Sequence, residues 1–437
     1  MNKKIVFSFT LLAMFAMVIL IPTTAYANTR DFPSLHIEAD GVPFVDRNLW
    51  IDSTFTFTGT DGFENETGRI RGRGQSSWSR FPDKRPLRIR FDNRQSLLGS
   101  EHTYRRWVLI AAQSDRSLMR DYFAYHLGGQ LDGMDWTPLA QHIHLYVNGE
   151  YMGVYLLVDE RTVHDGRVEI TGDPNPTISE YFLEIDWRFY RDSRSQQEGV
   201  NFFRINTHPD GIVGRSNNST EFVRDFLYEV RYPEDDLTPE HLEYARVFID
   251  SVSRAIRAQD FERISALVDI PSMVDFYIVQ ELMKNVDVGF SSVFMTIQGQ
   301  GNTRRLHMGP LWDFDVAAGN TSWQRNQTPY GLYVGGQFYW FRHLMRVPEF
   351  RDAVEARWND VAFEAIQQSI NHIDTYARRY QSAFERNFER HEIMGVLGMW
   401  PNPDHVAEID TFLGQVDFLT DYLTRRANYL NEQFGND

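Results

Sequence analysis

The stretch HMGPLWDFDVAAGN sets two carboxylates two residues apart, Asp313 and Asp315, among the bulky aromatics Trp312 and Phe314. On a strand the acids share one face and the aromatics the other. Side-by-side carboxylates repel unless something positive joins them, and the usual guest is Mg²⁺ or another hard cation with oxygen ligands. The expectation is a metal-binding pair at the end of a strand, in preference to a solvated strand end. Asp287, in QELMKNVDVGFSS, is the third acid of interest. It follows a helix whose apolar face includes Phe276, Val279 and Met283, just where that helix gives way to a loop with Gly289. A carboxylate there can accept a hydroxyl proton, complete a metal shell, or cap local backbone.

Cations gather in GRIRGRGQSSWSRFPDKRPLRIRF, where Arg71, Arg73, Lys84 and Arg85 accompany the hydroxyls of Ser76 and Ser77. Gly72 and Gly74 permit close backbone approach, so the stretch reads as a phosphate cradle. Neither the Walker spacing nor the Gly-rich loop of ordinary protein kinases is present, and an arginine-rich hairpin balancing nearby acids is the rival reading. Lysine is rare in this chain: positions 3, 4, 84 and 284 carry the four lysines, beside forty arginines. A compact ammonium suits a tight phosphate site better than a planar guanidinium, so Lys84 rather than Arg85 is expected to meet phosphate. Glu160, closing NGEYMGVYLLVDE, should pair with a basic group, with Arg120 and Lys84 as the candidates. His142 and His144 share a strand face but have no third ligand signalled nearby, and read as ordinary polar strand residues.

The elements that must position these groups come in two blocks. From Ser34 to about Ile205 apolar and polar residues alternate around Asp-Gly and Asn-Gly turns, the pattern of hairpins. One helix interrupts them, SLMRDYFAYHLGGQL, with Ser117 as the expected cap. Between Asn206 and Pro239 the chain turns polar and loop-like. Helices then dominate, from TPEHLEYARVFIDSVSRAI to a last helix at about residues 404–434, with one strand pair in SSVFMTIQGQGNTRRLHMGPLWDFD. The fold class is α+β, a β-rich lobe at about 34–205 and a mainly helical lobe at about 237–437, with function at the seam.

Composition bounds the setting. The formal charge of −16 argues against nucleic acid, whose phosphates demand a basic footprint. The absence of cysteine excludes disulfides, thiolate metal sites and a cysteine nucleophile. MNKK, an apolar run from Ile5 to Ile21 and small residues at Ala25 and Ala27 form a secretory signal with cleavage expected after Ala27; an uncleaved N-terminal membrane anchor is the alternative. A secreted protein without stable membrane insertion is expected.

Taken together, IRGRGQSSWSRFPDKRPLRIRFD, WVLIAAQSDRSLMRDYFAYHLG, HLYVNGEYMGVYLLVDE, YFLEIDWRF, RYPEDDLTPEHLEYARVFI, ELMKNVD, GPLWDFDVAAG and FLTRRANYLNEQF resemble the CotH kinases, atypical protein kinases named for a spore-coat protein. The resemblance covers most of the chain. It implies a divergent protein-kinase-like fold that binds ATP with Mg²⁺ (or Mn²⁺) and phosphorylates Ser/Thr hydroxyls of protein substrates. Carried over, Asp313 is the metal-binding acid assisted by Asp315, Asp287 is the other essential acid as base or metal ligand, and Arg73, Ser76, Lys84, Arg85, Arg120 and Glu160 fall on the nucleotide side. The chain departs from the family at Gln75, where Asn is usual, and at Lys84-Arg85, where Lys-Lys is usual. The competing readings are a catalytically silent surface or matrix module and phosphoryl or nucleotidyl transfer to a non-protein acceptor.

Overall fold

Alternating side chains build the first half of the molecule. In β1 (Ser34–Ala39), β2 (Ile51–Phe57), β3 (Phe63–Gly72), β4 (Leu87–Gln95) and β5 (Tyr104–Ile110), one face buries Leu35, Ile37, Phe55, Ile70, Ile89 and Trp107 while the other turns outward. With β6 (Ala140–Val147) and β7 (Glu150–Asp159) they close a barrel in the order β1-β2-β3-β4-β5-β7-β6. The β1–β6 seam is parallel and the remaining neighbours are antiparallel. Closure leaves no unpaired edge, and the inward side chains form a core of their own. Asn148 and Gly149 both take positive φ between β6 and β7, as a two-residue hairpin turn requires.

The computed structural model describes residues 31–41, 44–59, 62–186, 201–205, 212–213, 222–223 and 226–436. The expected signal segment, residues 1–27, lies outside them. Asp31 to Asp437 cluster as one compact unit.

A second sheet bridges the two halves of the sequence. Its strands are β8 (Tyr181–Ile185), β9 (Phe202–Ile205), β12 (Phe226–Tyr232), β13 (Val293–Gln298) and β14 (Arg305–Met308), in the order β14-β13-β8-β12-β9; β10 (Ile212–Val213) and β11 (Phe222–Val223) pair separately. The molecule is α+β, β-rich first and helical later. The seam is nevertheless a shared sheet rather than a loop, because β8 lies between β12 and β13. The 206–239 stretch expected to be loop contains β12: FLYEVRY is rich in β-formers, but the polar residues around it mask a run that short.

Three helices complete the frame around the site. α5 (Ile270–Met283) is capped by Asp269, whose Oδ1 accepts from the Ser272 N–H at 2.8 Å, and it is buried from Ser272 to Met283, as a helix apolar on every side must be. α2 (Arg120–Gly128) begins two residues later than a Ser117 cap would place it. Ser117 is not its cap, since its hydroxyl donates to Asp115 Oδ1 at 2.6 Å. The helix Phe412–Phe434 packs against α5, joined to it by Arg426. Among the described residues no helix is long and apolar enough to cross a membrane.

Candidate active site

The acid pair does not stand on a strand. β14 ends at Met308, and Pro310 has no N–H with which to extend the ladder, so the chain runs irregularly into Asp313 and Asp315. Asp313 takes φ 68°, a left-handed conformation that costs a non-glycine residue about 1–2 kcal/mol. Two side chains hold it there. Asn285 Nδ2 donates to the Asp313 carbonyl at 3.2 Å, and the Ser292 hydroxyl donates to Asp313 Oδ2 at 2.9 Å. The same Asn285 accepts the Asp287 N–H through Oδ1 at 3.0 Å, so one amide joins the two acid-bearing segments.

Asp315 is fixed from the opposite direction. The Ser114 hydroxyl donates to its Oδ2, and Asn320 Nδ2 bridges the carbonyls of Asp315 and Ser114 at 2.7 and 2.9 Å. Asn402, far along the chain, donates to Asn320 Oδ1 at 2.6 Å and to the Ser114 carbonyl at 2.9 Å. A fourth acid, Asp121 on α2, accepts the Phe314 N–H at 2.8 Å. Burial pushes the Asp121 carboxyl up to about 7, reinforced by the charges of Asp313 and Asp115. Asp315 is raised well above the usual carboxylate range, first by burial and then by Asp313, Asp121 and Asp287. Four carboxylates therefore bear on one another, Asp121 buried and Asp287, Asp313 and Asp315 part-buried.

Guanidiniums meet these acids at Trp312. Arg73 lies 5.5 Å from the Trp312 ring centroid, and Arg161 lies 4.0 Å from that ring and 4.4 Å from Phe294. Burial lowers the proton affinity of Arg73, with Arg88 adding to the effect and Asp313 opposing it. Burial likewise lowers Arg71, again with Arg88, and brings Arg161 down to about 9. Guanidiniums that depress one another call for an anion, as the clustered carboxylates call for a cation.

The other expected residues are placed as follows. Glu160 pairs with Arg88 at 2.7 Å, neither with Arg120 nor with Lys84, because Arg88 on β4 shares the outward barrel face that the end of β7 reaches. Arg120 is bound to Asp115 and donates to the carbonyls of Ala317 and Ala318 at 2.9 and 3.1 Å, holding the chain just after the acid pair. Arg85 donates to the Phe44 carbonyl and stacks 4.5 Å from the Trp78 centroid. Lys84 is sealed from solvent and has no hydrogen-bond partner among the described residues; it lies 5.2 Å from the Tyr155 centroid. Burial brings its ammonium down to about 7, and Asp115 is the charge that opposes this. Ser76 opens the short helix α1 (Ser76–Arg80) and is exposed. Gly72 makes room for Trp78 rather than for a ligand: a Cβ there would lie 2.2 Å from that ring. His142 Nε2 donates to the Leu118 carbonyl at 2.9 Å, and His144 meets Asp31, so both have ordinary polar partners.

Sequence reasoning missed Asp121, Arg88, Arg161, Ser114, Ser292, Asn320 and Asn402. Asp121, adjacent to Arg120, and Ser292, in the quoted GFSS, lay within view; Asn402 gave no signal.

Among the described residues no three acids or histidines converge to hold a metal ion by themselves. The donor set still fits a hard divalent cation, which binds through one or two carboxylates and completes its shell with water and phosphate oxygens. No curated protein matches the chain. The sequence model of the CotH kinase protein family matches residues 70–430, a span that contains Arg71, Arg73, Asp121, Arg161, Asp287, Asp313 and Asp315. The acids and guanidiniums assembled around Trp312 thus lie inside the matched region, and the chain belongs to the CotH kinase protein family.

Proposed function

We propose that this protein is an exported atypical Ser/Thr protein kinase that transfers the γ-phosphoryl group of ATP to hydroxyls of a protein acceptor. The observation that carries the reading is the meeting of like-charged clusters at Trp312: Arg73 and Arg161 on one hand, Asp313, Asp315, Asp121 and Asp287 on the other. Each cluster is unfavourable alone, and an anion chelated to a divalent cation relieves both at once. Asp313 and Asp315 would hold Mg²⁺ or Mn²⁺, which when bound neutralises phosphate charge. Arg73 and Arg161 orient the nucleotide phosphates, and Arg88 is held ready by Glu160. Asp287, tied to Asp313 through Asn285, orients the acceptor hydroxyl and takes its proton. Positioning and charge neutralisation are what phosphoryl transfer chiefly needs. In this reading Lys84 acts through Asp115 rather than by touching ATP.

The test is transfer of label from [γ-³²P]ATP to a Ser-rich protein with Mg²⁺ or Mn²⁺, comparing the wild type with Asp313→Asn. Transfer is expected in the wild type and a loss of about 10³-fold in the variant, the scale for removing one electrostatic catalytic group. Absence of metal-dependent nucleotide binding by the wild type would overturn the reading. Transfer of AMP without γ-phosphate would replace it with nucleotidyl transfer.

A further inference from the structure

The outward face of β3, β4 and β5 carries an arrangement that nucleotide binding uses at one end only. Arg69 stands opposite Arg90 and Arg71 opposite Arg88 across β3 and β4, and Arg90 stands opposite Arg106 across β4 and β5. Like charges directly opposite on neighbouring strands are destabilising, and here three such pairs sit on a protein of formal charge −16. Carboxylates do little to cancel them. Within the strip the Arg88–Glu160 pair at 2.7 Å is the one ion pair among the described residues. Asp52 faces Arg69 from β2, and Asp92 lies two residues beyond Arg90 but accepts from the Thr67 hydroxyl at 2.7 Å. Arg69 and Arg71 instead lie 5.4 and 4.8 Å from the Trp50 ring centroid. The strip leads toward the acid pair, since Arg88 acts both on Arg71 and on the Arg73 that lies beside Trp312.

We propose that Arg69, Arg90 and Arg106 form a docking surface for an acidic, extended segment of the acceptor protein, leading its hydroxyl toward Asp287. This rests on the kinase reading for the identity of the occupant. The repeat of the surface supports a polypeptide. Arg69 and Arg71 along β3, and Arg88 and Arg90 along β4, recur at the same-face spacing of a strand, about 6.6–6.8 Å, and an extended segment with acids at alternate positions repeats at the same distance. Charge steering of such a segment raises its encounter rate and fixes its direction.

The probe is a pair of fluorescein-labelled peptides with one Ser, flanked at alternate positions by Glu in one and by Gln in the other. Binding is read by anisotropy without nucleotide, at low and at physiological salt, on the full chain and on its Arg69→Gln/Arg90→Gln/Arg106→Gln variant. The wild type should bind the Glu peptide about tenfold more tightly than the Gln peptide, with the preference shrinking in salt. The variant should lose the preference while Mg²⁺-ATP binding stays unchanged, which also shows that it is folded. Equal binding of the two peptides by the wild type, or a preference retained by the variant, overturns the proposal. Loss in the variant of binding to phosphatidylglycerol vesicles, without loss of peptide preference, assigns the strip to a membrane surface and also overturns it. Peptide preference without phosphoryl transfer upholds the docking surface and sinks the kinase reading.

Discussion

A buried ammonium with no hydrogen-bond partner destabilises a fold unless it gives up its proton, and Lys84 has no such partner among the described residues. Its proton affinity in the folded protein, about 7, is far below the 10.5 of a free lysine. Between those values the unfolded chain carries the extra proton, so stability rises as pH rises from about 7 toward 10.5 and is flat below about 7. Lys84→Met should remove that rise and stabilise the protein at neutral pH by on the order of a few kcal/mol. Urea unfolding of both forms at neutral and alkaline pH checks this, and parallel pH dependences would refute it. Composition alone marked Lys84 as unusual among so many arginines. It could not say that the position faces inward, because that depends on Tyr155, His142 and His391 closing over it from distant parts of the chain.

At the scale of elements, the segment after the acid pair is strapped to two helices. Lys284, at the C-terminal end of α5, donates to the carbonyls of Thr328 at 2.9 Å, Tyr330 at 2.5 Å and Arg325 at 3.3 Å. Glu281, one turn earlier, accepts the N–H groups of Tyr333 and Val334 at 2.6 and 2.8 Å and pairs at 2.5 Å with Arg426 of the last helix. Arg426 in turn reaches the carbonyls of Pro329 and Gly331. Both members of the pair are fully buried. Arg426→Leu leaves Glu281 charged and unpaired, so a loss of about 3–5 kcal/mol is expected, with the 325–334 segment opened to protease. Arg378→Leu, which breaks the exposed pair with Asp374, should cost less than about 1 kcal/mol. Thermal unfolding of the two variants tests the contrast, and equal losses would refute it. Lys284, unlike Lys84, thus has a specific structural use: three donors on a flexible stem meet three carbonyls that a planar guanidinium does not match.

For the whole molecule, the candidate site draws on both halves of the chain, with Arg71, Arg73 and Asp121 from the first and Asp287, Asp313 and Asp315 from the second. The shared sheet makes those halves interdependent, since β8 is paired on one side by β12 and on the other by β13. Residues 31–232 expressed alone should expose the β8 edge and aggregate, while the chain 31–437 should unfold in one cooperative transition, as calorimetry can show. A soluble, cooperatively folding 31–232 fragment would contradict this. The sequence by itself determined the α+β class and the order of β-rich and helical parts, and it singled out Asp287, Asp313 and Asp315 as candidates, because periodicity and short motifs are local properties of a chain. Tertiary structure decided the rest. It gave Glu160 to Arg88 instead of Arg120 or Lys84, took Asp313 off the expected strand, and drew Asp121, Arg161 and Asn402 to the site. Partners of a buried charge are chosen by which elements happen to close around it, and no spacing along the sequence records that closure.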